Sequence, residues 1–331
     1  MQVVGMELEL DAELAHFRSL TFSDNTKKSY NSYKRSYLQF CTRMGYPPTP
    51  ISTQNLCRYT VYLARRLQVS SIKKYLNIVR LLHLEGGFPN PIKDNWMLTS
   101  LISGISREKG LSVRRKVPIT PDLLLRIKQL LNFNDLQDTM FWAASLTAFF
   151  GFFRKSNLFP PSNAKFDPEK HLTRADFTLF SWGIQVTIKW TKTIQYKDRT
   201  LFTPLPRLPG HPLCPVEAIV RALAMSTSVG ARAPAFVISH NSKLISFPPA
   251  RFVSQLRSLL SRIGVEAANF SGHSFRRGAA SWALQNGLPG DIIKILGDWK
   301  SEAYFSYLTL DQQSKVNSIN MFARPLPTSS R

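Results

Sequence analysis

The chain has 331 residues, 44% hydrophobic and 19% charged, which is enough apolar content to build packed cores and excludes a disordered polymer. Lys and Arg number 43 against 21 Asp and Glu, a net charge of +22 that calls for a polyanionic partner, nucleic acid first. No apolar run approaches the roughly 18 residues of a membrane span, the acidic start MQVVGMELELDAEL is unlike a signal peptide, and Cys41, Cys57 and Cys214 are too few and too far apart for a disulfide framework or a Cys-based zinc site. The expectation is an intracellular protein, nuclear in a eukaryotic cell.

The positive charge runs along the whole chain. Residues 1–117 carry 18 basic and 8 acidic residues, and the densest stretch, 51–117, carries 12 and 3. Residues 1–20 read as an N-terminal tail or loosely attached helix. From Asn25 to Met44, Tyr30, Tyr33, Tyr37, Phe40 and Cys41 recur at threes and fours, which predicts a helix capped by Thr21, Ser23 or Asp24. A second helix follows Ser52 or Thr53 through Leu56, Tyr59 and Leu63. A third starts after Ser70 with Ile72, Leu76, Val79 and Leu82 inward and stops at Gly86-Gly87. A fourth runs from Asn95 to Ile105 on Trp96, Leu101 and Ile102. Four short helices make a small bundle. On the third, Lys73, Asn77 and Arg80 share one face at i, i+4 and i+7, a candidate phosphate-contacting surface. The basic stretch REKGLSVRRKV, with Arg114, Arg115 and Lys116, lacks helical period and reads as the joint between two domains.

Beyond it, Thr120-Pro121-Asp122 places a cap and a proline at the start of a helix. An apolar helix is expected over 138–152. IQVTIKW, 184–190, alternates as a strand, RTLFTPL, 199–205, is its partner, and the polar residues 193–198 turn between them. Helices are expected at 215–226 and 248–263, with a hairpin at 236–247 around His240-Asn241-Ser242. From Gly272 to Met321 the pattern is helical, broken at Gly287, Gly290 and Gly297. The fold class is mainly α with a small β-sheet. The expected organisation is a tail over 1–20, a helical DNA-binding domain over 21–110, a linker over 111–119, a second domain over 120–322 and a disordered tail over 323–331.

One constellation carries chemistry. Gly272-His273-Ser274-Phe275-Arg276-Arg277-Gly278 precedes Gly297-Asp298-Trp299-Lys300-Ser301, then Tyr304 and Tyr307; Arg154 and the hairpin segment Lys189-Trp190-Thr191-Lys192 lie upstream. Breaking and rejoining a DNA strand without metal requires a nucleophile that stays bonded to phosphate, a role tyrosine can fill. It requires planar cations that grip the two non-bridging oxygens, which Arg does bidentately and Lys does not. It also requires a group to handle the nucleophile's proton and an acid for the departing 5′-oxygen. The i, i+3 spacing of His273 and Arg276 puts both on one helical face.

In these residues the chain resembles the tyrosine recombinases, the phage-integrase superfamily, over about 300 residues. The phrases GFFRKSNL, GHSFRRGAA and GDWKSEAYFSYL look closest to the eukaryotic mobile-element branch, of DIRS and Crypton type. The resemblance implies a helical, SAM-like core-binding domain followed by a mixed α/β catalytic domain. Its implied partners are double-stranded DNA and further copies of the chain, a tetramer on paired sites in which a helix near 311–322 docks on a neighbour; no cofactor and no membrane enter. The catalytic set implied is Arg154, Lys192, His273, Arg276, Trp299 and the nucleophile Tyr307.

Two departures stand out. An acidic residue often follows the first arginine by three positions in that family; here it is Asn157. Trp299 and Tyr307 are eight apart, one fewer than in many bacterial members, which leaves Tyr304 as a rival nucleophile. Three other readings compete: a domesticated, non-catalytic DNA-binding protein of the same fold, a two-metal transposase, which would need a carboxylate trio, and a type IB topoisomerase.

Overall fold

The computed structural model describes residues 2–110, 116–191, 194, 199–308, 315–316 and 319. The chain divides into two compact units, 1–114 and 115–331. Among the described residues no helix is long and apolar enough to cross a membrane.

The first unit contains α1 (Gln2–Ser19), α2 (Asp24–Met44), α3 (Thr53–Ala64), α4 (Val69–Glu85) and α5 (Trp96–Lys109). Short polar side chains start three of them. Ser23 Oγ accepts from the Thr26 N–H, Ser52 Oγ from the Asn55 N–H, and Asn95 Oδ1 from the Leu98 N–H at 3.0 Å, each pairing a donor that a helix start leaves without a partner. The inward stripes of α2 to α5 meet in one core, with Tyr37, Leu56, Tyr59, Ile72, Leu76, Val79 and Leu98 buried. Beside it His83 is buried: Nε2 accepts from the Ile51 N–H at 3.0 Å, so Nδ1 carries the proton and donates to Val79 O at 2.7 Å.

One open reading is decided here and one expectation changes. Of the two readings of residues 1–20, a tail or a loosely attached helix, the helix holds: residues 2–19 form α1, and every side chain described on it is exposed. Trp96, read as part of the inward face of the fourth helix, is 80% exposed. It is the first residue of α5, ahead of the stripe that does turn inward: Leu98 and Ile105 buried, Leu101 and Ile102 half-buried.

The second unit contains α6 (Pro121–Lys128), α7 (Leu136–Phe150), the single turn α8 (Lys155–Leu158), β1 (Phe177–Leu179), β2 (Gly183–Ile188), β3 (Leu201–Pro206), α9 (Pro215–Ala224), β4 (Val237–His240), β5 (Lys243–Ser246), α10 (Pro249–Arg262), α11 (His273–Gln285), α12 (Gly290–Leu296) and a 3₁₀ turn at Glu302–Ser306. Helix α7 is its centre. Residues 139–149, apolar apart from Thr139, Ser145 and Thr147, are buried on all sides, and α9, α11 and β4 pack around the helix. Strands β1, β2 and β3 form an antiparallel sheet in that order, and β4 pairs with β5 in a separate hairpin. Alternation sets the register of the larger sheet: Ile184 faces Leu205 and Ile188 faces Leu201.

The fold is thus mainly α with small sheets. Strand β1 was not expected; at three residues it is too short to show a period. Gly290 is the first residue of α12 after Pro289, rather than a break within a helix. The Thr193–Asp198 turn falls, apart from Ile194, outside the described residues. So does most of the helix expected near 311–322, together with the tail 323–331. Of the linker 111–119, residues 111–115 lie outside them. Val117 and Ile119 belong to the second unit, their N–H groups reaching Asn269 O and Ser274 O at 2.9 Å.

That contact explains Gly278 on α11. A Cβ at this position would stand 1.8 Å from the Ile119 carbonyl oxygen, backbone that cannot swing aside. Gly278→Ala is therefore expected to destabilise the second unit by about 1–3 kcal/mol. Chemical denaturation measures this as a lowered midpoint at constant slope. An unchanged midpoint would mean that α11 does not seat on residues 117–119.

Candidate active site

The site is assembled around Arg276 on the first turns of α11. Its side chain is 2% exposed. One terminal nitrogen donates to Phe152 O, in the bend after α7, and the other donates to Gly297 O at 2.5 Å, at the end of α12. The guanidinium thus ties three separated segments together. Phe152, itself one of these anchors, and Asp298, next to the other, have φ of 53° and 51°. Left-handed backbone at a bulky residue persists only where its surroundings hold it, and here Arg276 grips the carbonyls.

Trp299 closes over this arginine. Cζ of Arg276 lies 3.8 Å from the centre of the indole ring and 5.7 Å from the ring of Tyr307; the Trp299 and Tyr307 rings are 5.3 Å apart. Gly297 is what lets the indole fold back, since a Cβ there would lie 1.6 Å from it. Two donors remain without a partner in this cluster: Nε of Arg276 and Nε1 of Trp299, both buried. An unpaired buried donor costs about 1–3 kcal/mol, so their pairing is left to an acceptor from outside. Burial and the like charge of Arg154 pull the pKa of Arg276 down to about 9, with Tyr307 and Asp298 pulling partly back. The surroundings thus favour a bound anion.

Arg154 precedes α8 and is half-buried. Asn157, the residue that stands where an acid was expected, is buried and accepts the Arg154 backbone N–H on Oδ1 at 2.9 Å. It fixes the turn from which the guanidinium projects. His273 is exposed at the first position of α11, its backbone N–H directed to Ser271 Oγ at 3.3 Å. Tyr307 is half-buried, whereas Tyr304 is 5% exposed and packed between Phe305 and Trp299. The backbone around Tyr307 is pinned to α11: Arg277 Nη1 donates to Ser306 O at 2.7 Å and Ser281 Oγ donates to Tyr307 O at 3.2 Å. The spacing of Arg277 and Ser281, one helical turn apart and following Arg276, was the sequence signal available for these two contacts.

Of the hairpin lysines, Lys192 and Lys197 lie outside the described residues. Lys189 is engaged elsewhere: Nζ bridges to buried Asp176 at 2.9 Å and donates to Pro168 O at 3.1 Å. Asp176 also accepts the Thr173 N–H and hydroxyl, both at 2.7 Å. On the first unit Asn77 donates to Tyr30 Oη at 3.3 Å and accepts from Arg80 Nε at 3.0 Å, while Lys73 is exposed. Lys116 Nζ donates to Ala268 O at 2.7 Å. Arg114 and Arg115 lie outside the described residues.

No protein-family model matches the chain. The "Integrase/recombinase xerD homolog" of Selenomonas ruminantium is 27% identical over 308 residues, 90% of this chain and 85% of that protein. Among solved structures, the Tn1549 transposon integrase in complex with a circular intermediate DNA is 12% identical with a TM-score of 0.59, covering 95% of this chain and 98% of that one. A lambda integrase dimer bound to a COC′ core site is 14% identical with a TM-score of 0.58, covering 91% and 94%. In sequence over nine-tenths of its length, and in fold, the chain is similar to the tyrosine recombinases of the integrase superfamily.

Proposed function

We propose that the chain is a site-specific DNA recombinase that breaks and rejoins strands through a 3′-phosphotyrosine link, with Tyr307 as nucleophile. The observation that carries this reading is the gathering of Arg276, Trp299 and Tyr307 around two buried, unpaired N–H donors, an anion site with a tyrosine at its edge. Tyr307 Oη attacks the scissile phosphorus, the P–O5′ bond breaks, and a free 5′-hydroxyl is released. The bond energy stays in the phosphotyrosine, so the reverse attack by a 5′-hydroxyl rejoins a strand without ATP. Arg154 and Arg276 grip the non-bridging oxygens as charge builds, and Trp299 Nε1 donates to one of them. His273 handles the tyrosine's proton and Lys192 protonates the leaving 5′-oxygen. A nicked suicide substrate tests this, because the short strand diffuses away and traps the covalent complex. Adduct mapping to the peptide containing Tyr307 supports the reading; binding without any adduct would favour the non-catalytic alternative.

The DNA itself would run along basic surface on both units, with Lys73, Asn77, Arg80, Arg114, Arg115 and Lys116 contacting phosphates. The mobile-element setting of the DIRS and Crypton branch rests on the eight-residue spacing from Trp299 to Tyr307 and on GDWKSEAYFSYL. In that setting the working assembly is a tetramer on paired sites, in the nucleus of its host.

Arg277 and Ser281 are positioning residues in this scheme. Arg277→Ala removes a charged donor from Ser306 O, a hydrogen bond of about 1.5–3 kcal/mol, so cleavage should fall about 10- to 100-fold. Single-turnover cleavage at saturating DNA reads this. Partial recovery in Arg277→Lys separates positioning from a general loss of fold, and a full rate in Arg277→Ala would exclude the role.

A further inference from the structure

Helix α12 ends in a way that local rules do not favour. The Asp298 N–H donates to Ile295 O and the Trp299 N–H to Lys294 O, each at 3.0 Å, the two bonds of a Schellman turn. That turn puts Asp298 at its left-handed position, with φ of 51°, where glycine or asparagine is usual. It also sets a carboxylate at the carbonyl end of a helix, the end that favours cations. Two local costs at one residue point to a task for its side chain.

That side chain lies within the electrostatics of the candidate site. Asp298 stands between Gly297, whose carbonyl holds Arg276, and Trp299, whose ring lies against the same guanidinium. Its carboxylate is 14% exposed and acts on Arg276 as an opposite charge. A negative group in this place works against an incoming phosphate, because it competes for the same cation and repels the same oxygens. The nearest cation on its own helix, Lys294, is drawn away to Glu302. Compensation comes instead from 99 residues upstream: Arg199, two residues before β3, donates through Nη2 to Asp298 Oδ1 in an ion pair. The Arg199 side chain is 37% exposed, and a pair so open to water adds little to stability. Its value lies in where it leaves the charge.

We propose that Arg199 is a positioning residue for the phosphate site: it neutralises the Asp298 carboxylate and holds it toward the sheet, leaving the Arg276 guanidinium to the scissile phosphate. This rests on the reading of Arg276 as a phosphate ligand. Arg199 acts through Asp298, not on the phosphate, so its effect depends on the carboxylate being there.

A double-mutant cycle over Arg199→Ala and Asp298→Asn in the full chain tests that dependence. Two quantities are read: single-turnover cleavage of saturating suicide DNA, and affinity for inorganic phosphate by calorimetry without DNA, at a temperature where every variant is folded. With Asp298 present, Arg199→Ala should lower both about tenfold, the scale of one uncompensated charge near a partly wet site. In the Asp298→Asn background the same substitution should cost about twofold or less. Arg199→Lys keeps the charge and should keep most of the rate. Equal losses in both backgrounds would make Arg199 a direct DNA contact, and no loss in either would mean that Asp298 does not hinder phosphate; each overturns the proposal. A lowered melting temperature with rate and phosphate affinity unchanged would make the pair purely structural and overturns it too. The parent reading fails separately. A wild type that binds phosphate but forms no adduct loses the catalytic assignment, and the phosphate cycle still decides on Arg199. A wild type that does neither overturns both.

Discussion

Tyr307→Phe should give no covalent protein–DNA adduct at any time of incubation, while binding the same DNA with nearly unchanged affinity. The substitution removes one hydroxyl. The ring that packs 5.3 Å from Trp299, and the backbone bonds from Arg277 and Ser281, are all kept. Fold and binding therefore survive, and only the attacking atom is lost. Tyr304→Phe is the internal control. Tyr304 is 5% exposed, and a Cβ at Gly290 would sit 2.9 Å from its hydroxyl, so its oxygen lies in a packed interior. That variant should still form adducts. Denaturing gels with labelled suicide DNA read both, and adducts from Tyr307→Phe but not from Tyr304→Phe would reverse the assignment.

Arg276→Lys should lower strand cleavage about 10²- to 10³-fold, the usual loss when one preorganised donor to a developing oxyanion is removed. The charge is kept, so long-range attraction to DNA changes little. What goes is the fork. Arg276 holds Phe152 O and Gly297 O with its two terminal nitrogens and keeps Nε for an incoming acceptor; an ammonium cannot meet all three directions. Because the same bonds hold the left-handed backbone at Phe152 and Asp298, the variant should also melt lower. Arg154→Lys separates the two effects. Arg154 is half-buried, and its fixed part is the backbone N–H bonded to Asn157, so its replacement should reduce cleavage while leaving the melting temperature close to wild type. Near-normal cleavage by both variants would remove the arginines from the reaction.

Helix positions were set by local rules and were open to reading without any structure. Side chains that cap, such as Ser23, Ser52, Asn95 and Thr120, act within one turn of where they stand. The apolar stripes of α2 to α4 and the buried α7 follow from period alone. The same holds for β2 and β3, whose alternation reports one buried face. The candidate chemistry was legible too, because it lies in short contiguous phrases around Arg154, His273-x-x-Arg276 and Trp299, with Tyr307 close behind. Local rules left α1 open between a helix and a tail, and did not reach Trp96, which stands on a helix yet is exposed. They also missed β1, which pairs only because β2 is beside it. Charge and period were enough to establish a two-unit basic protein with a helical first unit. Only the tertiary structure decided that Arg276 is gripped by carbonyls 124 and 21 residues away, that Lys189 is taken up by Asp176, and that Tyr304 is packed while Tyr307 lies against the arginine. Those outcomes depend on which distant backbone groups a side chain meets once the chain has closed on itself, a matter of long-range packing that no window of neighbouring residues encodes.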